Sequence, residues 1–208
     1  MTHEIKKIFE AFANAKKKGI KAVLATVVAL DGSSYRKPGV CMLILDDDHM
    51  IGAVSGGCVE KEILRQSQEV FKSGQSKMMT YDGRYRLGCE GILYILLEPF
   101  HPNNELTESF YRCLQNRHFF KMISYYERKD GMLPGIGSLL KFSEEEIFPV
   151  DEENNSLSRN NSSPMATFSQ TKSPCFQLII IGTEHDAVQL CLFAFSTGWD
   201  VTIIASPK

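Results

Sequence analysis

The feature that most restricts the fold is a pair of glycines placed between a short apolar run and an amphipathic segment. Residues 50–54 have the apolar character of a strand, and the turn Ser55-Gly56-Gly57 follows them. The next segment, 58–73, carries apolar side chains at helical spacing and ends at Gly74, as helices commonly do. A strand, a glycine turn and a helix in succession indicate an α/β fold.

The first 150 residues alternate between helical and strand patterns. Apolar residues at helical spacing predict helices over 2–18 and 104–115. Apolar runs bounded by turn residues predict strands over 21–30, 40–45, 50–54, 77–81 and 92–97, with 119–126 and 138–142 as further candidates. The acidic turn at 46–49 separates two of these runs and predicts a β-hairpin. Together these elements predict an N-terminal domain with a mixed sheet over residues 1–150.

The composition changes after residue 150. Asn and Ser dominate residues 151–165, which predicts a linker over 151–175. Beyond it, the apolar run 176–181 is followed by a helical pattern and then by a second apolar run at 200–204. This order predicts a truncated Rossmann-like β-α-β unit over residues 176–208, so the expected fold class is α/β with two parts.

The bulk composition argues against several classes of protein. The 208 residues carry a formal net charge of -2, with a pI near 6.2, so the chain lacks the excess of Lys and Arg that nucleic-acid binding requires. Its longest apolar run, 22–30, is too short to span a membrane. The N-terminus lacks the apolar core of a secretory signal, so we expect a cytoplasmic protein. The six cysteines are scattered without metal-ligand spacing, and no metal site is expected.

The glycine turn is the first candidate site. Ser55, Gly56 and Gly57 precede the free N–H groups of a helix N-terminus, which favour a phosphate or another anion. Cys58 lies where the positive end of the helix dipole favours a thiolate, so it is a candidate reactive thiol. A plain strand-to-helix turn with a buried cysteine is the alternative interpretation.

Two further loops carry residues suited to ligands. In the loop at 32–39, Ser33, Ser34 and Arg36 offer hydroxyls and a cation to a phosphate or carboxylate, although a solvated loop has the same composition. Gly88 and Cys89 precede a strand and predict close approach to a ligand, with an inert buried thiol as the alternative. Because α/β sheets gather ligand sites at strand ends, we expect the three loops to line one cleft.

Three motifs carry a resemblance to a known family: GSSYRKPG at 32–39, SGGCVE at 55–60 and LGCEG at 87–91. In this order and spacing they resemble the XdhC/CoxI family of accessory proteins for molybdenum-cofactor enzymes. Residues 176–204 resemble the opening of that family's C-terminal Rossmann-like domain. The resemblance implies a maturation factor that binds the molybdenum cofactor (molybdopterin), assists its sulfuration and inserts it into a xanthine or CO dehydrogenase-type enzyme.

The same resemblance implies roles for the loops and partners for the chain. Cys58 and Cys89 are the candidates for steadying the metal or moving sulfur. The implied cofactor-binding residues are Ser33, Ser34, Arg36, Ser55, Gly56, Gly57, Cys58, Gly88 and Cys89. A molybdenum hydroxylase and a sulfur donor such as a cysteine desulfurase are the implied partners, and the expected role is that of a chaperone rather than an enzyme. A homodimer is also expected, because a truncated β-α-β unit leaves a sheet edge uncovered.

Other functions remain as alternatives. A NAD(P)-dependent oxidoreductase would use the C-terminal unit, but Glu184 stands where a dinucleotide-binding turn needs glycine. A thiol-dependent transferase or hydrolase would use Cys58 as its nucleophile and needs a base, for which His49 is the nearest histidine in sequence. A degenerate Rossmann-type interaction module is the third alternative.

Overall fold

The structure, a computed structural model, describes residues 2–35, 37–84, 91–154, 157 and 165–205. The predicted helices and strands are present with most boundaries within two residues, and three further strands, Gly131–Met132, Ile147–Pro149 and Ala166–Lys172, were not predicted. In chain order the elements are α1 (Thr2–Lys17), β1 (Ala22–Asp31), β2 (Cys41–Leu45), β3 (Met50–Gly52), α2 (Cys58–Ser73), β4 (Lys77–Asp82), β5 (Ile92–Pro99), α3 (Asn104–Gln115), β6 (Phe120–Tyr126), β7 (Gly131–Met132), β8 (Gly137–Lys141), β9 (Ile147–Pro149), β10 (Ala166–Lys172), β11 (Gln177–Ile181), α4 (His185–Ser196) and β12 (Asp200–Ile204).

A six-stranded sheet forms the centre of the fold, in the order β3-β2-β1-β5-β4-β7. Every neighbouring pair in this sheet is antiparallel, so the predicted mixed sheet is wrong. The reason lies in the connections between the strands. Short connections join β1 to β2, β2 to β3 and β4 to β5, and short connections favour antiparallel neighbours, whereas parallel neighbours need a longer crossover.

Helices cover both faces of the central sheet. Ala22 and Leu24 of β1 pack in the same core as α1 and α3, whereas Val23 and Ala25 pack in the core beneath α2. The first eight residues of β1 are buried. Because both faces are covered, every position along this strand needs an apolar side chain or a small one, which explains its continuous apolar sequence.

A second sheet has four antiparallel strands in the order β10-β6-β8-β9. β10 lies within the interval predicted as a linker, 151–175, so this part of the predicted linker is a strand instead. All seven residues of β10 pair with β6, and backbone pairing of this kind orders a polar sequence that has few apolar anchors. Residues 155, 156 and 158–164 of the predicted linker lie outside the described residues.

The C-terminal elements form the β-α-β arrangement that the sequence predicts. β11 and β12 are parallel neighbours, and α4 joins them. Several large apolar side chains of this unit are exposed, among them Ile181 at 83% and Phe195 at 70%. None of the helices within the described ranges has the length and apolar character needed to cross a membrane.

Candidate functional site

Two of the predicted loops leave the central sheet side by side. Asp31, the last residue of β1, pairs with Ile92, the first residue of β5. Ile92 also pairs with Asp82, the last residue of β4. The loop at 32–39 and the segment at 83–91 therefore extend from the same end of the sheet.

The glycine turn extends from that end as well. β3 runs antiparallel to β2, and its last residue, Gly52, pairs with Met42 near the start of β2. The start of β2 faces the middle of β1, since Cys41 pairs with Thr26. β3 runs in the same direction as β1, so the turn that follows it continues toward the end of the sheet where β1 finishes. α2 runs back toward the opposite end, where Val70 lines a groove together with Ala22.

The first and third loops touch at Gly91. A Cβ atom on Gly91 would lie 2.5 Å from the carbonyl oxygen of Ser33 and 3.0 Å from that of Asp31. The carbonyl of Gly91 accepts the N–H of Gly83 at 3.0 Å, which closes the base of the 83–91 segment. Side-chain carbons do not approach backbone oxygens so closely, so this contact requires glycine.

The glycine turn is held by a side chain from the helix that it begins. The carboxylate of Glu60, which is 7% exposed, accepts the N–H of Gly57 at 2.7 Å, of Ser55 at 2.6 Å and of Val54 at 3.1 Å. Gly57 adopts a φ of 113°, in the left-handed region that favours glycine. One buried carboxylate thus fixes the conformation of the whole turn.

This arrangement reduces the number of backbone N–H groups that the glycine turn can offer to an anion. The N–H groups of Val54, Ser55 and Gly57 already donate to Glu60 and are not available to a ligand. The first N–H groups of a helix have no acceptor within the helix, and Gly57 has no side chain with which to cap them. The N–H groups of Gly56, Cys58 and Val59 are not among those that donate to Glu60, so they are the candidate donors for an anion, and the Glu60 carboxylate lies beside them.

The loop at 32–39 contains a hydroxyl without a partner. The Oγ of Ser34 is shielded from solvent and has no hydrogen-bond partner among the residues that the structure describes. Ser33 and Lys37 are exposed, and Tyr35 is 84% exposed. Arg36, the cation predicted for this loop, lies outside the described residues, and its binding role stays a prediction.

The cysteines differ in their accessibility. Within the described ranges, Cys58 is exposed, whereas Cys41 and Cys113 are buried. Burial raises the pKa of the Cys41 thiol to about 11 and also raises that of Cys113. The predicted alternative of a buried Cys58 is therefore wrong. Cys89, together with Gly88, lies outside the described residues, and its predicted role stays a prediction.

One cluster at this end of the sheet was not predicted. Arg128 donates from Nη1 to both carboxylate oxygens of Asp31, at 2.8 and 3.0 Å. The hydroxyl of Tyr94 donates to the same carboxylate at 3.0 Å, which raises the pKa of Tyr94, and the Arg128 guanidinium lies 4.9 Å from the centre of its ring. No local pattern could have found this cluster, because Asp31 and Arg128 are 97 residues apart in sequence.

Comparison with known proteins gives three informative matches. A segment of the chain is 36% identical over 86 residues to a probable xanthine dehydrogenase subunit from Bacillus subtilis, covering 38% of this chain. A segment is 32% identical over 81 residues to the molybdenum cofactor insertion chaperone PaoD of Escherichia coli, covering 39% of this chain. The crystal structure of a xanthine dehydrogenase from Bacillus halodurans superposes with a TM-score of 0.69 over 94% of this chain at 24% identity, which shows a shared fold.

These matches cover only part of the relatives. The aligned segments span 26% of each of the two sequence relatives, and the structural match spans 61% of the solved chain. The sequence profile of the XdhC and CoxI family matches residues 15–82, an interval that contains the 32–39 loop and the glycine turn but ends before the third motif. The resemblance that the motifs predicted is confirmed by these matches: residues 15–82 are similar to the XdhC and CoxI family.

Proposed function

We propose that the chain is a maturation factor that binds the molybdenum cofactor, assists its sulfuration and inserts it into a molybdenum hydroxylase of the xanthine or CO dehydrogenase type. The names of the two sequence relatives support this role, since one is a probable component of a xanthine dehydrogenase and the other a molybdenum cofactor insertion chaperone. The family match supports it further, because it contains both of the loops that the structure describes at this site.

The observation that carries the proposal is the unpartnered hydroxyl of Ser34, at the end of the sheet where α2 begins. Its Oγ is buried, and no acceptor or donor reaches it from the part of the chain that the structure describes. A buried hydroxyl that is left unpaired costs about 1–3 kcal/mol. An oxygen of a bound phosphate would accept its hydrogen and remove that cost.

The surrounding groups suit the phosphate and the ring system of the cofactor. The N–H groups of Cys58 and Val59 lie at a helix N-terminus, where the dipole favours an anion. Positions for a Cβ on Gly56 and on Gly57 meet nothing within 4 Å, so the turn leaves open space beside these donors. In this proposal Arg36 adds a cation from the neighbouring loop.

The exposed thiol of Cys58 is proposed to handle the metal end of the cofactor. Thiolates bind soft metal centres, and thiols pass sulfur by exchange reactions. We propose that Cys58 and Cys89 steady the metal or move sulfur that a donor such as a cysteine desulfurase supplies. Because the cofactor is handed on rather than used, the chain is proposed as a chaperone and not as an enzyme.

For the C-terminal part we propose a Rossmann-like unit, in a second region over residues 176–208 after a first domain over 1–150. The parallel pair β11 and β12 with α4 between them supports this unit. Glu184 occupies the N-cap position of α4 without a side-chain capping hydrogen bond. An acidic side chain at this helix start opposes a pyrophosphate, so we do not propose NAD(P) binding. The exposed apolar side chains of this unit support a homodimer, and we propose the cytoplasm as its location.

The ligand that accompanies the purified chain tests this proposal. We expect the absorption and fluorescence of a pterin, with molybdopterin identified by mass spectrometry after release. Added to an apo molybdenum hydroxylase, the loaded chain should restore its activity, whereas buffer with the same amount of free molybdate should not. A bound nicotinamide nucleotide, or a chain that neither carries the cofactor nor takes it up, would contradict the proposal.

A further inference from the structure

A buried lysine supports the 32–39 loop from the second sheet. Lys172, the last residue of β10, is 3% exposed. Its Nζ donates to the carbonyl oxygen of Gly39 at 3.2 Å and to Oε1 of Gln170 at 2.6 Å. Removing an ammonium group from water is unfavourable unless its donors are satisfied. These two acceptors are neutral. Burial lowers the pKa of Lys172, and Cys41 and the Glu4 carboxylate act in the opposite direction.

Gly39, whose carbonyl oxygen accepts the hydrogen bond from Lys172, is the last residue of the 32–39 loop, called the ligand loop below. Gly39 adopts a φ of 96°, and its N–H donates to the carbonyl of Val27 in β1 at 2.8 Å. Its carbonyl points the other way, to Lys172. The backbone of Gly39 is thus fixed on one side by the central sheet and on the other by the second sheet.

The side chain of Gln170 also lies against Gly39, beside the Lys172 ammonium. A Cβ on Gly39 would overlap the amide of the Gln170 side chain, so the loop and β10 are in direct contact at this point. Gln170 and Lys172 lie on the same face of β10 and pair in register with Met122 and Phe120 of β6. Movement of the loop end would therefore require movement of a fully paired strand.

We propose that Lys172 is a positioning residue for the ligand loop: held by Gln170, its ammonium fixes the Gly39 carbonyl and so presents the hydroxyls of Ser33 and Ser34 to the ligand. This inference rests on the proposed function for the identity of the ligand. It also gives the second sheet a role in the site, since that sheet supplies Lys172, which is 133 residues from Gly39 in sequence.

The test compares Lys172→Met with a matched control, Lys121→Met. Lys121 is an exposed lysine of β6 and pairs with Thr171 of the same strand as Lys172. Amide hydrogen exchange is measured by NMR without ligand, and the affinity for molybdenum cofactor released from a purified molybdenum enzyme is measured by fluorescence. For Lys172→Met we expect exchange of the Gly39 amide to rise about tenfold and the cofactor affinity to fall about tenfold, which corresponds to one hydrogen bond to a charged group.

Amides in the centre of β6 should keep their wild-type exchange rates in Lys172→Met, and Lys121→Met should match the wild type in every measurement. Unchanged exchange of the Gly39 amide would overturn the proposal, and so would faster exchange with unaltered affinity. If Lys172→Met does not fold, Gln170→Leu decides the question, because it removes an acceptor of the ammonium at a half-buried position and should show the same local change. A wild-type chain that binds no cofactor overturns the proposed function instead, and the exchange rates still decide whether Lys172 holds the loop.

Discussion

The carbonyl oxygen of Ser33 lies 2.5 Å from the point that a Cβ atom on Gly91 would occupy. This contact joins the loop that precedes β2 to the segment that precedes β5, although almost sixty residues separate the two in sequence. Among the residues that the structure describes, it links two of the three loops that the motifs single out, and it depends on the absence of a side chain.

Gly91→Ala should therefore disturb the site. The added methyl group meets backbone oxygens of Ser33 and Asp31, which cannot rotate away as a flexible side chain can. We expect a loss of about 1–3 kcal/mol in the free energy of unfolding, the usual cost of overpacking, together with weaker cofactor binding. Urea denaturation measures the first and fluorescence titration the second.

Gly56→Ala is the matched control for the stability measurement alone, because its Cβ would meet nothing within 4 Å, whereas Gly56 itself is a proposed binding residue. This variant should lose less than about 0.5 kcal/mol of stability. An equal loss in the free energy of unfolding for the two variants would show that the close approach at Gly91 is not the cause of the destabilisation.

Replacing Glu60 should loosen the glycine turn. Glu60→Ala leaves the N–H groups of Val54, Ser55 and Gly57 without their acceptor. We expect a loss of about 1–3 kcal/mol in the free energy of unfolding and faster amide exchange at Ser55 and Gly57. Thermal denaturation and exchange measurements test this.

Glu62→Ala is the control for this experiment, since Glu62 lies in the same helix and pairs with Arg65 on the surface. Such pairs contribute about 0–1 kcal/mol, so amide exchange in the turn of this variant should stay at the wild-type level. The role of Glu60 would be refuted if both variants left the turn equally protected.

The strand and helix positions could be predicted from sequence because they depend on local patterns. Gly74 identified the end of α2, and the continuous apolar run identified β1, without any tertiary information. Strand direction could not be predicted in the same way. It depends on which strands become neighbours, and the pairing of β1 with β5 joins segments that are far apart in sequence.

In the candidate site, too, the local features could be predicted from the sequence and the tertiary contacts could not. The glycines and Cys58 were visible as a strand-to-helix turn, and Cys58 is exposed, but its reactivity stays a prediction. The contacts that shape the site were not visible. Lys172 reaches Gly39 across 133 residues, and the polar composition around β10 resembled that of a linker because backbone pairing, not apolar burial, orders that strand.

Stability should depend on pH through Glu98. This carboxyl is buried between the two sheets, where it accepts the N–H and the hydroxyl of Ser138 at 2.7 and 2.6 Å. Burial raises its pKa to about 8, and the nearby Asp151 carboxylate adds to the effect. The folded protein therefore keeps a proton that the unfolded chain releases above its ordinary pKa of 4.5, so this contribution to stability is lost as the pH rises toward 8.

Denaturation at several pH values compares the wild type with Glu98→Gln. The pKa of Asp151 is raised to about 6. Its contribution to the pH dependence of stability is therefore complete by about pH 6, and the effect above that pH belongs to Glu98. Between pH 6 and 8 the wild type should lose stability, and the variant, which has no proton to release, should lose less. Parallel stability curves over this range would exclude Glu98 as the source.

Alkylation should distinguish the cysteines. Cys58 is exposed, whereas Cys41 and Cys113 are buried and have raised pKa values. Because the thiolate is the species that reacts, iodoacetamide should modify Cys58 at least about tenfold faster than Cys41 in the folded chain. Peptide mass spectrometry over time gives the rates.

Cys58→Ala tests whether the exposed thiol is needed for delivery of the cofactor. A small side chain at an exposed turn contributes little to the fold, so circular dichroism should be unchanged while delivery of the cofactor to a molybdenum hydroxylase is lost. Delivery at the wild-type rate would remove this thiol from the mechanism, and the turn would remain only as an anion-binding element.

Hydrogen exchange with and without the molybdenum cofactor shows whether the loops at 32–39 and 55–59 bind it. The ligand is the cofactor released from a purified molybdenum enzyme, and exchange is followed across the whole chain. If the loops bind the cofactor, protection should increase at residues 32–39 and at 55–59 and stay constant at the opposite end of the sheet. Protection confined to that opposite end, at the groove lined by Phe12, Phe71 and Phe100, would contradict the account.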